Sequence, residues 1–156
     1  MKVLYVEDRE AMATVFEYSY PTLEITWVDT MEKARKLVEN HNFDVILLDL
    51  NLSDSKGMDS VSAMVNRGAP VVVLTANISS DFKKQALKIG AADYIFKKSF
   101  LDINVQKHLE EAVEKHEKTK QRYSSFSFSD LDPVKQFISC PPFEVRSDRQ
   151  RQTAMA

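Results

Sequence analysis

The sequence predicts an α/β protein: a doubly wound, five-stranded parallel sheet in the order 2-1-3-4-5, with helices on both faces. Three observations predict it. Strand-like and helix-like stretches alternate five times along the chain with short connections. The run Asp44 to Leu48 is apolar without a break after its first residue, as in a strand buried on both faces. Four of the strand-like runs end in polar residues, Glu7-Asp8, Asp49, Thr75 and Lys97, which would converge on one edge of such a sheet.

The first strand is Lys2 to Val6. Met12, Val15 and Phe16 then recur at helical spacing up to Pro21. Ile25 to Val28 reads as the second strand. Thr30 is an N-cap for a helix with Met31, Ala34, Leu37 and Val38 on one face. Phe43 to Leu48 is the third strand, followed by the loop Asn51 to Gly57. Val61, Met64 and Val65 mark a short third helix closed by Asn66-Arg67-Gly68. Pro70 enters the fourth strand, Val71 to Leu74, where a missing N–H does least harm. Ser79, Ser80 and Asp81 can cap a fourth helix carrying Phe82, Ala86 and Ile89, which Gly90 ends. Tyr94 to Lys97 is the fifth strand, and a last helix carries Leu101, Val105, Leu109 and Val113. Right-handed crossovers leave few topologies. The flavodoxin-like order sets the first and third strands side by side at the switch point, where ligands bind in open α/β sheets.

The 156 residues suffice for one domain and a short extension. A formal net charge of −2 makes no case for binding nucleic acid or an anionic membrane. No apolar run approaches the roughly 20 residues that span a bilayer, and the strand at the amino terminus leaves no room for a signal peptide. Cys140 is the single cysteine, which excludes an internal disulfide and fits a reducing cytoplasm. The three glycines, Gly57, Gly68 and Gly90, build neither a P-loop nor a dinucleotide fingerprint.

Glu7 and Asp8 precede a helix, where acids complement the dipole, and the same pair can ligate Mg²⁺. Asp49 shifts the balance toward the metal. Three carboxylates at one sheet edge repel one another unless a cation joins them. A cation there would also offset the charge of a phosphoryl group attacked by a carboxylate. Thr75 offers a hydroxyl and Lys97 a point charge to phosphoryl oxygens.

These residues resemble the receiver domain of bacterial two-component response regulators, the CheY-like family. The likeness runs from residue 1 to 118. It is carried by Val6-Glu7-Asp8, by Val45-Ile46-Leu47-Leu48-Asp49-Leu50-Asn51-Leu52 with Gly57, by Val72-Val73-Leu74-Thr75-Ala76, and by Gly90 through Asp93-Tyr94-Ile95-Phe96-Lys97. The resemblance implies Asp49 as phosphoacceptor, with Mg²⁺ held by Asp8, Asp49 and the backbone carbonyl of Asn51, and by Glu7 through water. Thr75 and Lys97 would bind phosphoryl oxygens, and Tyr94 would be the switch aromatic that moves inward. Phosphate would come from a histidine kinase or phosphotransfer protein. A downstream protein would meet the face of helix 4, strand 5 and helix 5, with no direct contact to nucleic acid or membrane. The domain would act either as a monomer or as a homodimer.

Lys98 and Ser53 stand where the family usually has proline. They predict a trans peptide with an altered loop after Lys97, and a more mobile loop from Asn51 to Gly57. Asn51 and Asn77 lie where side chains could steer an attacking water. Residues 119–156 form a short extension with no recognisable output domain, which implies a stand-alone receiver. Leading into it, where the last helix loses its apolar stripe after Val113, Glu114 to Lys120 reads as a solvated helix extension or a linker. Phe126 and Phe128 alternate with polar residues, Asp132-Pro133 opens a short helix through Val134, Phe137 and Ile138, and Gln150 to Ala156 reads as disordered. Two rivals remain. One is a receiver-like binding or dimerisation module that works without phosphorylation. The other is a Mg²⁺-dependent phosphohydrolase, against which Asn51 counts, because such enzymes commonly carry an aspartate two positions after the nucleophile. A signalling switch rather than a turnover enzyme is the expectation.

Overall fold

Side chains that alternate between two buried faces decide the architecture. The computed structural model describes residues 1–76, 79–97 and 104–124. Its elements are β1 (Lys2–Val6), α1 (Glu10–Ser19), β2 (Glu24–Val28), α2 (Met31–Asn40), β3 (Val45–Asp49), α3 (Met58–Met64), β4 (Val71–Thr75), α4 (Ser80–Ile89), β5 (Asp93–Phe96) and α5 (Val105–Ser124). The strands form one sheet in the order β2-β1-β3-β4-β5, every pair parallel. The predicted fold class and strand order are those observed.

Each strand divides its residues between two cores. Leu4, Val6, Ile46, Leu48, Val71 and Val73 pack under α2, α3 and α4, against Met31, Ala34, Val61, Met64 and Ala86. Val3, Tyr5, Val45, Leu47, Val72 and Leu74 pack on the other face against Ala13 and Phe16 of α1 and Val105, Leu109 and Ala112 of α5. The rings of Tyr5 and Phe16 meet at 4.9 Å. Val15 is 46% exposed, because the buried side of α1 runs through Ala13 and Phe16. The predicted inward Val15 is therefore a surface residue.

Helix ends follow local chemistry. Thr30 caps α2, its side chain accepting from the Lys33 amide. Gly90 ends α4 at φ 118°, and a Cβ there would stand 2.9 Å from Val65 Cγ1, so glycine is required twice over. α5 continues past its buried face to Ser124, with Glu114 and Lys118 paired at 2.6 Å. The stretch 114–120 is thus a solvated helix extension. Leu101, Asn77, Lys98 and the expectations for the tail beyond residue 124 lie outside the described residues.

The loop between β3 and α3 is tied down along its length. Leu52 is buried, Gly57 N–H donates to Leu50 O at 2.8 Å, and Ser55 Oγ meets Ser60 Oγ at 2.8 Å. The two carboxylate oxygens of Asp54 accept from Met31 and Glu32 N–H, each at 3.0 Å. Asp54 therefore caps α2 from a different part of the chain and anchors the loop that Ser53 leaves without a proline. We predict that Asp54→Ala lowers stability by about 1 kcal/mol, the usual size of a lost cap. It should also speed hydrogen exchange at the Met31 and Glu32 amides. Urea unfolding with exchange by NMR checks this; unchanged values for both would show that the carboxylate holds nothing.

Candidate functional site

The period-2 alternation that builds the core continues past the ends of the strands and sorts the site. Glu7 follows the parity of Val3 and Tyr5, and Asp49 that of Val45 and Leu47, so both lie on the α1 and α5 side. The register Val6↔Leu48 puts Glu7 beside Asp49. Lys97, with the parity of Ile95, comes to them from the end of β5. Its Nζ is 2.8 Å from Asp49 Oδ2 and 2.5 Å from Glu7 Oε2, and its side chain is nearly buried.

Glu7 is 0% exposed, and both its oxygens are taken. Oε2 accepts from Lys97 and, at 3.1 Å, from the Tyr5 hydroxyl. Oε1 accepts from Arg9 Nε at 3.0 Å. The backbone carbonyl of Glu7 accepts from Trp27 Nε1 at 2.8 Å. Burial, reinforced by the charge of Glu7, pushes the Tyr5 phenol far above its usual range, so Tyr5 is a fixed donor. The hydrogen bond to Glu7 raises Arg9, and the charges of Asp49 and Asp8 act in the same direction.

Asp49 is buried at the end of β3. Burial raises its carboxyl above the ordinary carboxylate range, and the charge of Glu7 adds to this. The hydrogen bond and charge of Lys97 oppose both. Its Oδ1 is buried and accepts no hydrogen bond. Carboxylate oxygens of Glu7, Asp8 and Asp49 lie within 4.8 Å of one another, which makes an acidic pocket. The donor set fits a hard cation such as Mg²⁺, which takes oxygen ligands. The orphaned Oδ1 and exposed Asp8 are the ligands at hand, since Glu7 has no oxygen to spare.

Thr75 and Tyr94 have the opposite parity, on the side of α3 and α4. Tyr94 is 8% exposed and so already stands inward. Burial raises its phenol, and a hydrogen bond with the Thr75 side chain opposes this. Asn51 sits in the exposed loop and forms a bridge to Lys56. Above these residues opens a cavity of about 640 Å³ lined by Asp8, Arg9, Asp49, Lys56, Thr75 and Lys97 among others.

The predicted set is thus brought to one edge. Four participants were missed. Tyr5 was readable in principle, because it stands two residues before Glu7 with the same parity along β1, whereas Arg9 lies beyond the strand at the N-cap of α1. Trp27 and Lys56 arrive through tertiary structure and carry no local signal.

Comparison with known proteins identifies the family. The family described as the response regulator receiver domain matches residues 3–118. The alginate biosynthesis transcriptional regulatory protein AlgB of Pseudomonas putida is 32% identical over 101 residues, which are 62% of this chain and 22% of that protein. The transcriptional regulatory protein CiaR of Streptococcus pneumoniae is 30% identical over 105 residues, 65% of this chain and 47% of that one. The chain therefore spans less than half the length of these two relatives. The signal receiver domain of a putative LuxO repressor protein from Vibrio parahaemolyticus superposes with a TM-score of 0.63 at 27% identity, covering 74% of this chain and 94% of that one. No helix among the described residues is long and apolar enough to cross a membrane. Receivers of this family are signalling switches of two-component systems. With the family match covering most of its length and the acidic pocket at the carboxyl edge of a 2-1-3-4-5 sheet, this chain belongs to the response regulator receiver domain family.

Proposed function

We propose that this receiver is a phosphoacceptor switch in which Asp49 takes a phosphoryl group from a histidine kinase or phosphotransfer protein. The observation that carries the reading is the buried, unpartnered Oδ1 of Asp49 beside Lys97 at the wall of the cavity. A carboxylate oxygen of Asp49 attacks phosphorus. The bond from phosphorus to the donor breaks, and its electron pair leaves with the donor, as acetate when the donor is acetyl phosphate. Asp8, Asp49 and the carbonyl of Asn51 would hold Mg²⁺, with Glu7 adding charge rather than a direct bond. When bound, the ion supplies positive charge against the phosphoryl oxygens.

The protein's own groups do the rest. Lys97 keeps its hold on Glu7 and exchanges Asp49 for a phosphoryl oxygen. Thr75 turns its hydroxyl from Tyr94 to another of those oxygens. Tyr94 then repacks, and the face of α4, β5 and α5 changes what it offers to a protein partner.

Intact-protein mass spectrometry after incubation with acetyl phosphate tests this, with Mg²⁺ or with chelator. Wild type should gain one phosphoryl group only with Mg²⁺, and Asp49→Asn none. An unlabelled wild type would favour a module that works without phosphorylation, and a labelled variant would mean another acceptor.

The same variant carries a pH prediction. The folded Asp49 carboxyl titrates above its unfolded value of about 3.8. Between these two values the native state binds more protons, so the contribution of Asp49 to stability falls as pH rises through that window. Asp49→Asn removes this cost and leaves Lys97 paired with Glu7. Thermal unfolding should show the variant more stable than wild type at pH 7, with the gap closing as pH falls toward about 4. A variant less stable than wild type at pH 7 would refute it.

A further inference from the structure

Arg9 is out of place by every local rule. It stands at the N-cap of α1 and makes no side-chain cap hydrogen bond. It also puts a positive charge where the helix dipole favours a negative one. Places where a local preference is broken tend to be functional.

Its surroundings say what the function is. Glu7 acts as a yoke: Oε2 holds Lys97, and Oε1 holds Arg9 through Nε. Two cations are therefore fixed on either side of one buried carboxylate. Lys97 is engaged by both Glu7 and Asp49. Arg9 spends only Nε, and among the described residues no hydrogen bond takes its two terminal nitrogens. Its side chain is 57% exposed, and the residue lines the cavity along with Asp49 and Thr75. The planar guanidinium, with one edge anchored, presents its other N–H groups in the fork that suits phosphate oxygens. A lysine at this position could not hold Glu7 and present such a fork together. The cavity, at about 640 Å³, admits a donor side chain as well as the phosphoryl group.

We propose that Arg9 is a second cationic phosphoryl-binding residue, aimed by Glu7, so that the transferred group is received between Lys97 and Arg9. This rests on the phosphoacceptor reading of Asp49 and adds to it a donor-recognition element outside the residues whose roles the family likeness implied. The contact is made to the group in transfer, so Arg9 should govern affinity for the phosphoryl group and its rate of capture, not metal affinity. A positive charge beside the acidic pocket opposes Mg²⁺, so removing it leaves metal binding unchanged or tighter.

The test uses the full chain as wild type, Arg9→Gln and Arg9→Lys. Arg9→Gln retains a donor for Glu7 but loses the charge and the fork. Trp27, the one tryptophan in the sequence, bonded to the Glu7 carbonyl, reports binding by its fluorescence. Mg²⁺ is titrated first, then beryllium fluoride at saturating Mg²⁺, as a phosphoryl mimic that requires no donor. The rate of labelling by acetyl phosphate is measured alongside. Arg9→Gln should bind Mg²⁺ at least as tightly as wild type, yet lose about tenfold or more in both beryllium fluoride affinity and labelling rate, the scale of one charge-assisted hydrogen bond. Arg9→Lys should recover part of both. Equal beryllium fluoride affinity in wild type and Arg9→Gln would overturn the proposal. So would a parallel loss of Mg²⁺ affinity, mimic affinity and melting temperature, which would make Arg9 a strut for Glu7. A wild type that takes neither the mimic nor the phosphoryl group brings down the phosphoacceptor reading first, and that is visible before any variant is compared.

Discussion

The ammonium group of Lys97, held between the buried carboxylates of Glu7 and Asp49, is the constraint on which the carboxyl edge of this sheet depends. Strand pairing brings the two acids together, and burial takes water away from both. Without a cation their repulsion would have to be relieved by a proton or by movement of the strand ends. Such a cluster adds little net stability, since apolar side chains of similar volume commonly do as well. Removing Lys97 is another matter, since it would leave two buried carboxylates uncompensated, at about 3–5 kcal/mol. The edge is therefore finely balanced in charge, and a phosphoryl group on Asp49 alters that balance at its centre.

The sheet alternation then decides which groups feel the change. Tyr5, Glu7, Asp49 and Lys97 belong to the side of α1 and α5, while Thr75 and Tyr94 belong to the side of α3 and α4. The first set is a closed network of charges, with Trp27 holding the backbone of Glu7 from β2. The second set is a pair of hydroxyls bonded to each other. A group added to Asp49 lies between a network anchored on Glu7 and a pair that can exchange one acceptor for another.

Much of this was legible in the sequence because its determinants are local. The unbroken apolar run ending in Asp49 announced a strand buried on both faces. The polar residues closing four strands announced their own convergence once the order was chosen. What escaped notice depends on contacts distant in sequence. Asp54 is 23 residues from Met31, and nothing around it distinguishes it from other loop acids. Ser53 suggested a looser loop, and the sequence offered no view of the Asp54 anchor. Arg9 was not singled out, because its partner's complete burial is a property of the folded sheet. Val15 failed for the opposite reason: a short helix offers several apolar residues, and only packing selects which of them face inward.

The pinned loop bears on where a charge change can travel. Asn51 is carried on a segment fastened at Leu52, at Gly57 and, through Asp54, at the start of α2. Glu7 is fastened by Tyr5, Arg9, Lys97 and Trp27. With these sides of the site held, the element left to respond is the end of β4 and β5, where Thr75 and Tyr94 share one hydrogen bond. Inverting a 1:99 equilibrium takes about 5.5 kcal/mol of differential interaction. A few charge-assisted hydrogen bonds, worth roughly 1.5–3 kcal/mol each, reach that sum. In the proposed switch their effect is not spread through the fold, because Glu7 and the loop after β3 are already held; it is delivered to Tyr94 and the surface beside it.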